Sequence, residues 1–338
     1  MRLVGSSVIE YLLALYMKQF FGHFSTLLAL SFTVFTPSVA AAEIDPFNGY
    51  SRQLKDSSAL ISSKADEMIQ LGIARANEAG KGCDQRALYD ELRLNFNRVN
   101  IGPFSNYIYR SEDIERVVTP VFDSVYQDWG WRDALIPGLF ARYLRDPSGT
   151  VINVAGVRVG TDKFEHFSGS GFRYFELHYL MGRPLRESLH FGFRAEAGFL
   201  GAVSTGVLSF GDLAANFGGM RFWNHLLATG PDVLGEEVGP YVVCEEDAWK
   251  QVKKVDITVY VDTTWDESNN CSLFRTDKML KDVLTILEFR SEQDGIEYRC
   301  PFSSTAIEAV KEKYGENAKY LINSDGHNSL DKVKLTLP

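Results

Sequence analysis

The chain has 338 residues, of which 45% are hydrophobic and 13% aromatic, and its formal net charge is −9. That apolar supply excludes general disorder, and the length suits one large domain or two small ones. The acidic balance argues against nucleic acid as a partner, since binding it needs a basic face, and no run of about twenty apolar residues follows residue 42.

Residues 1–42 read as a secretory signal peptide. A basic start at Met17-Lys18 precedes an apolar run over 27–35, then Pro37 and the small residues Ser38-Val39-Ala40-Ala41-Ala42. Translation is read as starting at Met17, with cleavage after Ala40 or Ala42, and the product as secreted or periplasmic in a bacterium with no stable membrane insertion. Removing this segment makes the net charge one unit more negative. Export makes disulfides the expected state of Cys83, Cys244, Cys271 and Cys300, with three pairings open.

Ser57-Ser58 introduces a helical run that ends near Gly80, and a second covers Gln85–Phe96. Residues 97–110 read as a loop. Asp113 and Glu115 lead an expected helix through Val117, Val118, Val121 and Phe122. Residues 151–159 read as two short strands around a turn, a small β-hairpin. From Thr161 to about Leu227 the chain is read as helical, interrupted by glycines. Within it, Ser209 and Asp212 form a capping box that starts a helix at Phe210. Alternation over 256–261 predicts a strand, and helices are expected near 278–289 and over Ser304–Tyr314. The fold class is α+β, mainly α-helical. Residues 43–230 form the expected catalytic domain and 231–338 a smaller lobe held by disulfides.

The densest polar cluster is Thr161-Asp162-Lys163-Phe164-Glu165-His166-Phe167-Ser168, continuing to Glu176 and His178. On a straight helix Glu165 and Glu176 would lie about 16 Å apart along the axis, too far to act on one bond. A turn at Ser168-Gly169-Ser170-Gly171 would bring them face to face, as the two carboxylates of a glycoside hydrolase require. Glu165, between Phe164 and Phe167, is then the acid with a raised pKa, and Glu176 the base or nucleophile. Without that turn they are two ordinary surface glutamates, one of them paired with Lys163 or Arg173. Aromatic residues such as Tyr174, Phe217 and Trp223 could line a sugar cleft or fill a core.

A helix ending in Glu, a glycine-rich bend and a second carboxylate resembles the lysozyme superfamily, including the deacetylation-specific type of predatory bacteria. The resemblance covers about residues 150–230. It implies a lysozyme-like core and hydrolysis of cell-wall peptidoglycan, with Glu165 and Glu176 in the two roles. His166 stands where lytic transglycosylases carry a Ser after the Glu. Asp162-Lys163-x-x-His166, followed by Asp212-x-x-x-Asn216-x-x-Gly219, is also similar to VanZ-like envelope proteins. That second resemblance implies that these residues sit together without naming a reaction. Physically, Asp162 and His166 share a helix face, as do Asp212 and Asn216. They can support substrate, with Ser168 and Tyr174, or form a buried network that pins two helices.

His166, His178 and His190 recur every twelve residues but form no His-Glu-x-x-His, so the sequence is read as carrying no metal and no cofactor. The expected function is an exported glycoside hydrolase acting on peptidoglycan. A net negative enzyme suits a deacetylated amino-sugar glycan better than an acetylated one. The rivals are a non-catalytic envelope scaffold and a metal-dependent envelope enzyme.

Overall fold

The computed structural model describes residues 43–97, 102–130, 132–134 and 150–333. The signal-peptide reading of 1–42, its Met17 start and its cleavage point lie outside these residues. The fold is α+β and mainly helical.

Helix α1 (Ser58–Glu78) buries Ile61, Ala65, Met68, Ile69, Ile73 and Ala76 along one stripe. Helix α2 (Gln85–Phe96) starts at Asp84, whose side chain accepts the amide of Ala87, and lays Leu88, Leu92 and Phe96 against α1. Helix α3 (Pro103–Arg110) replaces the expected loop. Pro103 sits in its first turn, where a missing N–H costs nothing, and Phe104 and Ile108 make an i, i+4 buried face. The expected helix after Asp113 is instead strand β1 (Arg116–Val118) and a short 3-10 turn. Val117 faces the core, and Pro120 leads into the 3-10 turn Val121–Asp123.

Strand β1 pairs antiparallel with β2 (Thr150–Val154), and β2 with β3 (Val157–Gly160). The β2–β3 hairpin turns through Ala155 and Gly156, both at positive φ, as a tight hairpin demands. Directly after β3 comes a helical rod, α4 (163–180). It is built from four consecutive segments: Lys163–Glu165, His166–Ser170, Gly171–Phe175 and Glu176–Leu180. The second and fourth are π-helical. The residues at the junctions, Glu165, His166, Ser170, Gly171, Phe175 and Glu176, all keep right-handed helical dihedrals. The expected turn at 168–171 is therefore absent, and the rod runs through.

Helix α5 (Leu185–Ala197), a π turn (Phe199–Val203) and β4 (Val207–Leu208) lead to α6 (Phe210–Leu227). Residues 210–226 of α6 are all buried, which marks it as the central helix of the core. Ser209 caps it as the capping-box reading expects, accepting the Asp212 amide at 3.0 Å. Beyond it lie the hairpin β5 (Val242–Glu245) and β6 (Ala248–Gln251), then β7 (Leu273–Phe274), α7 (Asp277–Asp294), α8 (Ser304–Tyr314), α9 (Ala318–Leu321) and β8 (Asn328–Ser329). The strand expected at 256–261 is a 3-10 turn, Ile257–Val259, capped by Asp256. Its buried residues Ile257, Tyr260 and Val261 are spaced as on a helix.

One hydrophobic cluster runs from Ile61 to Ile322, so residues on both sides of position 230 share it. Phe217, Phe222 and Trp223 are fully buried within it, as core rather than cleft. Disulfides join Cys83 to Cys244 and Cys271 to Cys300. Among the described residues, no helix is long and apolar enough to cross a membrane.

Candidate functional site

The start of α4, the end of α5, the start of α6 and the loop after the 3-10 turn Thr263–Trp265 converge on one buried group of charges. Lys163 is fully buried. Its Nζ lies 2.8 Å from Asp162 Oδ2, 2.7 Å from Asp212 Oδ1 and 3.2 Å from Glu267 Oε2. Ser209 ties two of these elements together, since its hydroxyl caps α6 and donates to Glu267 Oε1. On the other side of Asp212, Oδ2 lies 3.2 Å from His166 Nε2, and His166 Nδ1 lies 3.2 Å from Asn216 Oδ1. Glu196 completes this side. One ligand atom from each of His166, Glu196 and Asp212 lies within 4.8 Å of the other two.

The cluster therefore has two halves. Around Lys163 the charges are paired. Around His166 the pairing is incomplete, because Glu196 is 2% exposed and its Oε2 has no hydrogen-bond partner. His166 is also the member that reaches solvent, with 20% of its side chain exposed against 6% for Asp212 and none for Lys163. It opens the π-helical segment of α4, a distortion frequent at functional sites.

Five carboxylates share the region, those of Glu43, Asp162, Glu196, Asp212 and Glu267, against the single ammonium of Lys163. The consequence is a split in acidity. Burial, then the charges of Asp212 and Glu43, raise Glu196 well above the usual carboxylate range. Burial followed by Glu267 and Asp212 does the same to Glu43. Burial also raises Asp162, against the pull of Lys163. Asp212 is the exception: burial works to raise it, but His166 and Lys163 outweigh burial and hold it low. For Lys163 burial is opposed and overcome by Asp162, Asp212 and Glu267, so it stays charged. Burial lowers His166, with Asp212 opposing.

Of the residues singled out from the sequence, Asp162, His166, Asp212 and Asn216 are brought together. Glu165 and Glu176 are not, being eleven residues apart on a continuous rod and so roughly 16 Å along its axis. Glu165 is buried, whereas Glu176 is part-exposed and paired with Arg173. The hydroxyl of Ser168 donates to the Phe164 carbonyl at 2.7 Å, and its own carbonyl takes the Trp223 indole N–H at 3.1 Å. Both are bonds within the helix packing. Tyr174 is buried behind the site, and burial keeps its hydroxyl protonated. His178 bonds the Arg183 carbonyl and His190 the Tyr320 hydroxyl, so the twelve-residue histidine spacing assembles nothing.

Sequence reasoning missed Glu43, Glu196 and Glu267. Glu196 had one signal, a lone carboxylate among small residues at the end of a helix, in Arg194-Ala195-Glu196-Ala197-Gly198. The chain matches no known family model, no curated protein and no solved structure.

Proposed function

We propose that the protein is an exported hydrolase of the bacterial envelope that acts on cell-wall peptidoglycan, with its reaction centre at His166, Asp212 and Glu196. The carrying observation is the incompletely paired half of the buried cluster. There an imidazole with access to solvent touches an ionised carboxylate, beside a second carboxyl whose Oε2 has no hydrogen-bond partner. Such a set can take the proton from an attacking water. It replaces the pair Glu165 and Glu176, whose separation exceeds the roughly 5–9.5 Å that two cooperating carboxyls need. The two disulfides fit an oxidising compartment. The net charge of −9 favours a cationic substrate, so a glycan carrying free amino groups is the preferred form.

The test is release of soluble fragments from peptidoglycan sacculi, native and chemically deacetylated, at low salt. Wild type is expected to release fragments, faster from deacetylated wall. His166→Gln and Asp212→Asn are expected to abolish release while folding normally. Absence of release from both substrates overturns the reading, and equal release by the variants overturns the site.

A second reading has its own observation. Lys163 bridges Asp162, Asp212 and Glu267 with no exposure at all, so that half of the cluster holds α4, α6 and the 266–270 loop together. This structural role accounts for the paired half. It leaves the unpartnered Oε2 of Glu196 unexplained.

A further inference from the structure

We infer that His166, Glu196 and Asp212 bind one divalent cation of the manganese-to-zinc series. The argument starts at the ring of His166. Asn216 Oδ1 can only accept, so at 3.2 Å the ring's Nδ1 carries the hydrogen. Nε2 then faces Asp212 Oδ2 at 3.2 Å, where a proton or a metal ion can be held between the two. In the neutral ring this nitrogen offers a lone pair toward the same point as the carboxylate. A cation attracts both, and 3.2 Å is close to the edge between two ligands that each bind a metal at about 2.1 Å. Asn216 then has the usual supporting role, fixing the tautomer and the ring orientation.

Glu196 is the second, independent observation. Its Oε2 is buried without a hydrogen-bond partner, and a carboxylate oxygen of the same side chain lies within 4.8 Å of the same two ligands. An isolated buried carboxylate is costly unless it is protonated, paired or on a metal. Lys163 does not compete for the position, because it takes Oδ1 of Asp212 and leaves Oδ2 free. One imidazole and two carboxylates suit manganese, iron or zinc better than a soft, thiol-seeking ion. Three protein ligands leave positions open for water, the pattern of catalytic rather than structural sites.

The inference deepens the hydrolase reading by naming what would activate the water, and it rests on that reading for its purpose only. Binding is measured without substrate, so the two can fail separately. Metal-stripped, tag-free protein with its disulfides intact is titrated with Zn²⁺ alone and with Mn²⁺ alone, by calorimetry and by metal analysis after dialysis. One ion per chain is expected, with affinity at least tenfold weaker in Glu196→Gln and in Asp212→Asn, and unchanged in the surface control His178→Gln. Glu196→Gln keeps the shape of a buried carboxyl and removes its acid group, so in chelator its melting temperature is expected to equal or exceed that of wild type, while the rise on adding metal disappears. Absence of stoichiometric binding of either ion overturns the proposal. So does binding that survives both carboxylate variants, or binding that is lost with His178.

Discussion

Gly171 of α4 and Gly219 of α6 stand back to back. A Cβ on Gly171 would fall 2.6 Å from the Cα of Gly219, and one on Gly219 would overlap the carbonyl of Phe167. The two helices that carry His166 and Asp212 touch here backbone to backbone, with no side chain between them. Adding a methyl at Gly219 forces the helices apart, because the obstacle is main chain and cannot rotate away. Gly219→Ala is expected to destabilise the protein by about 3 kcal/mol, since overpacking of a well-filled core costs on that order. Urea unfolding followed by tryptophan fluorescence measures it, and a loss below about 1 kcal/mol would contradict the packing described.

The same contact explains what could and could not be read from the chain. Ser209 with Asp212 is a local pattern and survives as the cap of α6, whereas the residues spaced i, i+4 as Asp162/His166 and Asp212/Asn216 make their bonds between helices, from His166 to Asp212 and Asn216. The glycines at 169 and 171 look like a helix break because each costs about 1 kcal/mol of helix propensity. Tertiary packing reverses that preference, as Gly171 is what lets α6 approach. Alternation at 256–261 is short enough to fit either a strand or a helical turn, and burial of Ile257, Tyr260 and Val261 selects the turn. Glu43 and Glu267 carry no local signature, and that of Glu196 is only its small neighbours at a helix end. Their place in the cluster comes from chain segments more than a hundred residues apart in the extreme pair, which no window of sequence displays.

Lys163 is expected to be the residue on which the fold depends most. Lys163→Met keeps the volume and removes the ammonium that faces Asp162, Asp212 and Glu267. Breaking a buried pair by deleting one partner leaves the other charge stranded, at about 3–5 kcal/mol. Adding Glu267→Gln to that variant should recover part of the loss. A double-mutant cycle in urea gives the coupling, and additive losses would show that the two side chains do not interact.

His327 gives the stability a pH dependence away from the cluster. It lies against Phe47 and Phe274, donates Nδ1–H to the Ser272 carbonyl and has its Nε2 buried without a partner. Burial lowers its pKa to about 4. The folded form thus binds a proton less readily than the unfolded chain. The stability it contributes is complete above the ordinary histidine value of about 6.5 and is lost as pH falls from there through 4. By pH 5 the loss is about 2 kcal/mol. His327→Gln should flatten the melting-temperature profile between pH 7 and pH 5, and an unchanged slope would remove His327 as its source.

The two disulfides should differ in weight. Cys83–Cys244 closes a loop across 161 residues and Cys271–Cys300 one across 29. Loop-closure entropy grows with loop length, giving about 5 kcal/mol for the first and about 3–4 kcal/mol for the second. Replacing each pair by serines, with unfolding measured in the other's presence, should show the larger loss for Cys83/Cys244. The reverse order would mean that strain or residual structure, rather than loop length, decides.

The longer bridge has another effect. Lys163, His166, Glu196 and Asp212 all lie on the covalent ring it closes, whereas Glu43 and Glu267 lie on the tails outside. A protease that cuts the backbone once anywhere inside the ring opens the circle without releasing a piece. The nicked protein would migrate as one species on a non-reducing gel and as two after reduction. In an environment rich in proteases, the residues of the cluster would then stay tethered after a cut that would separate an unbridged chain.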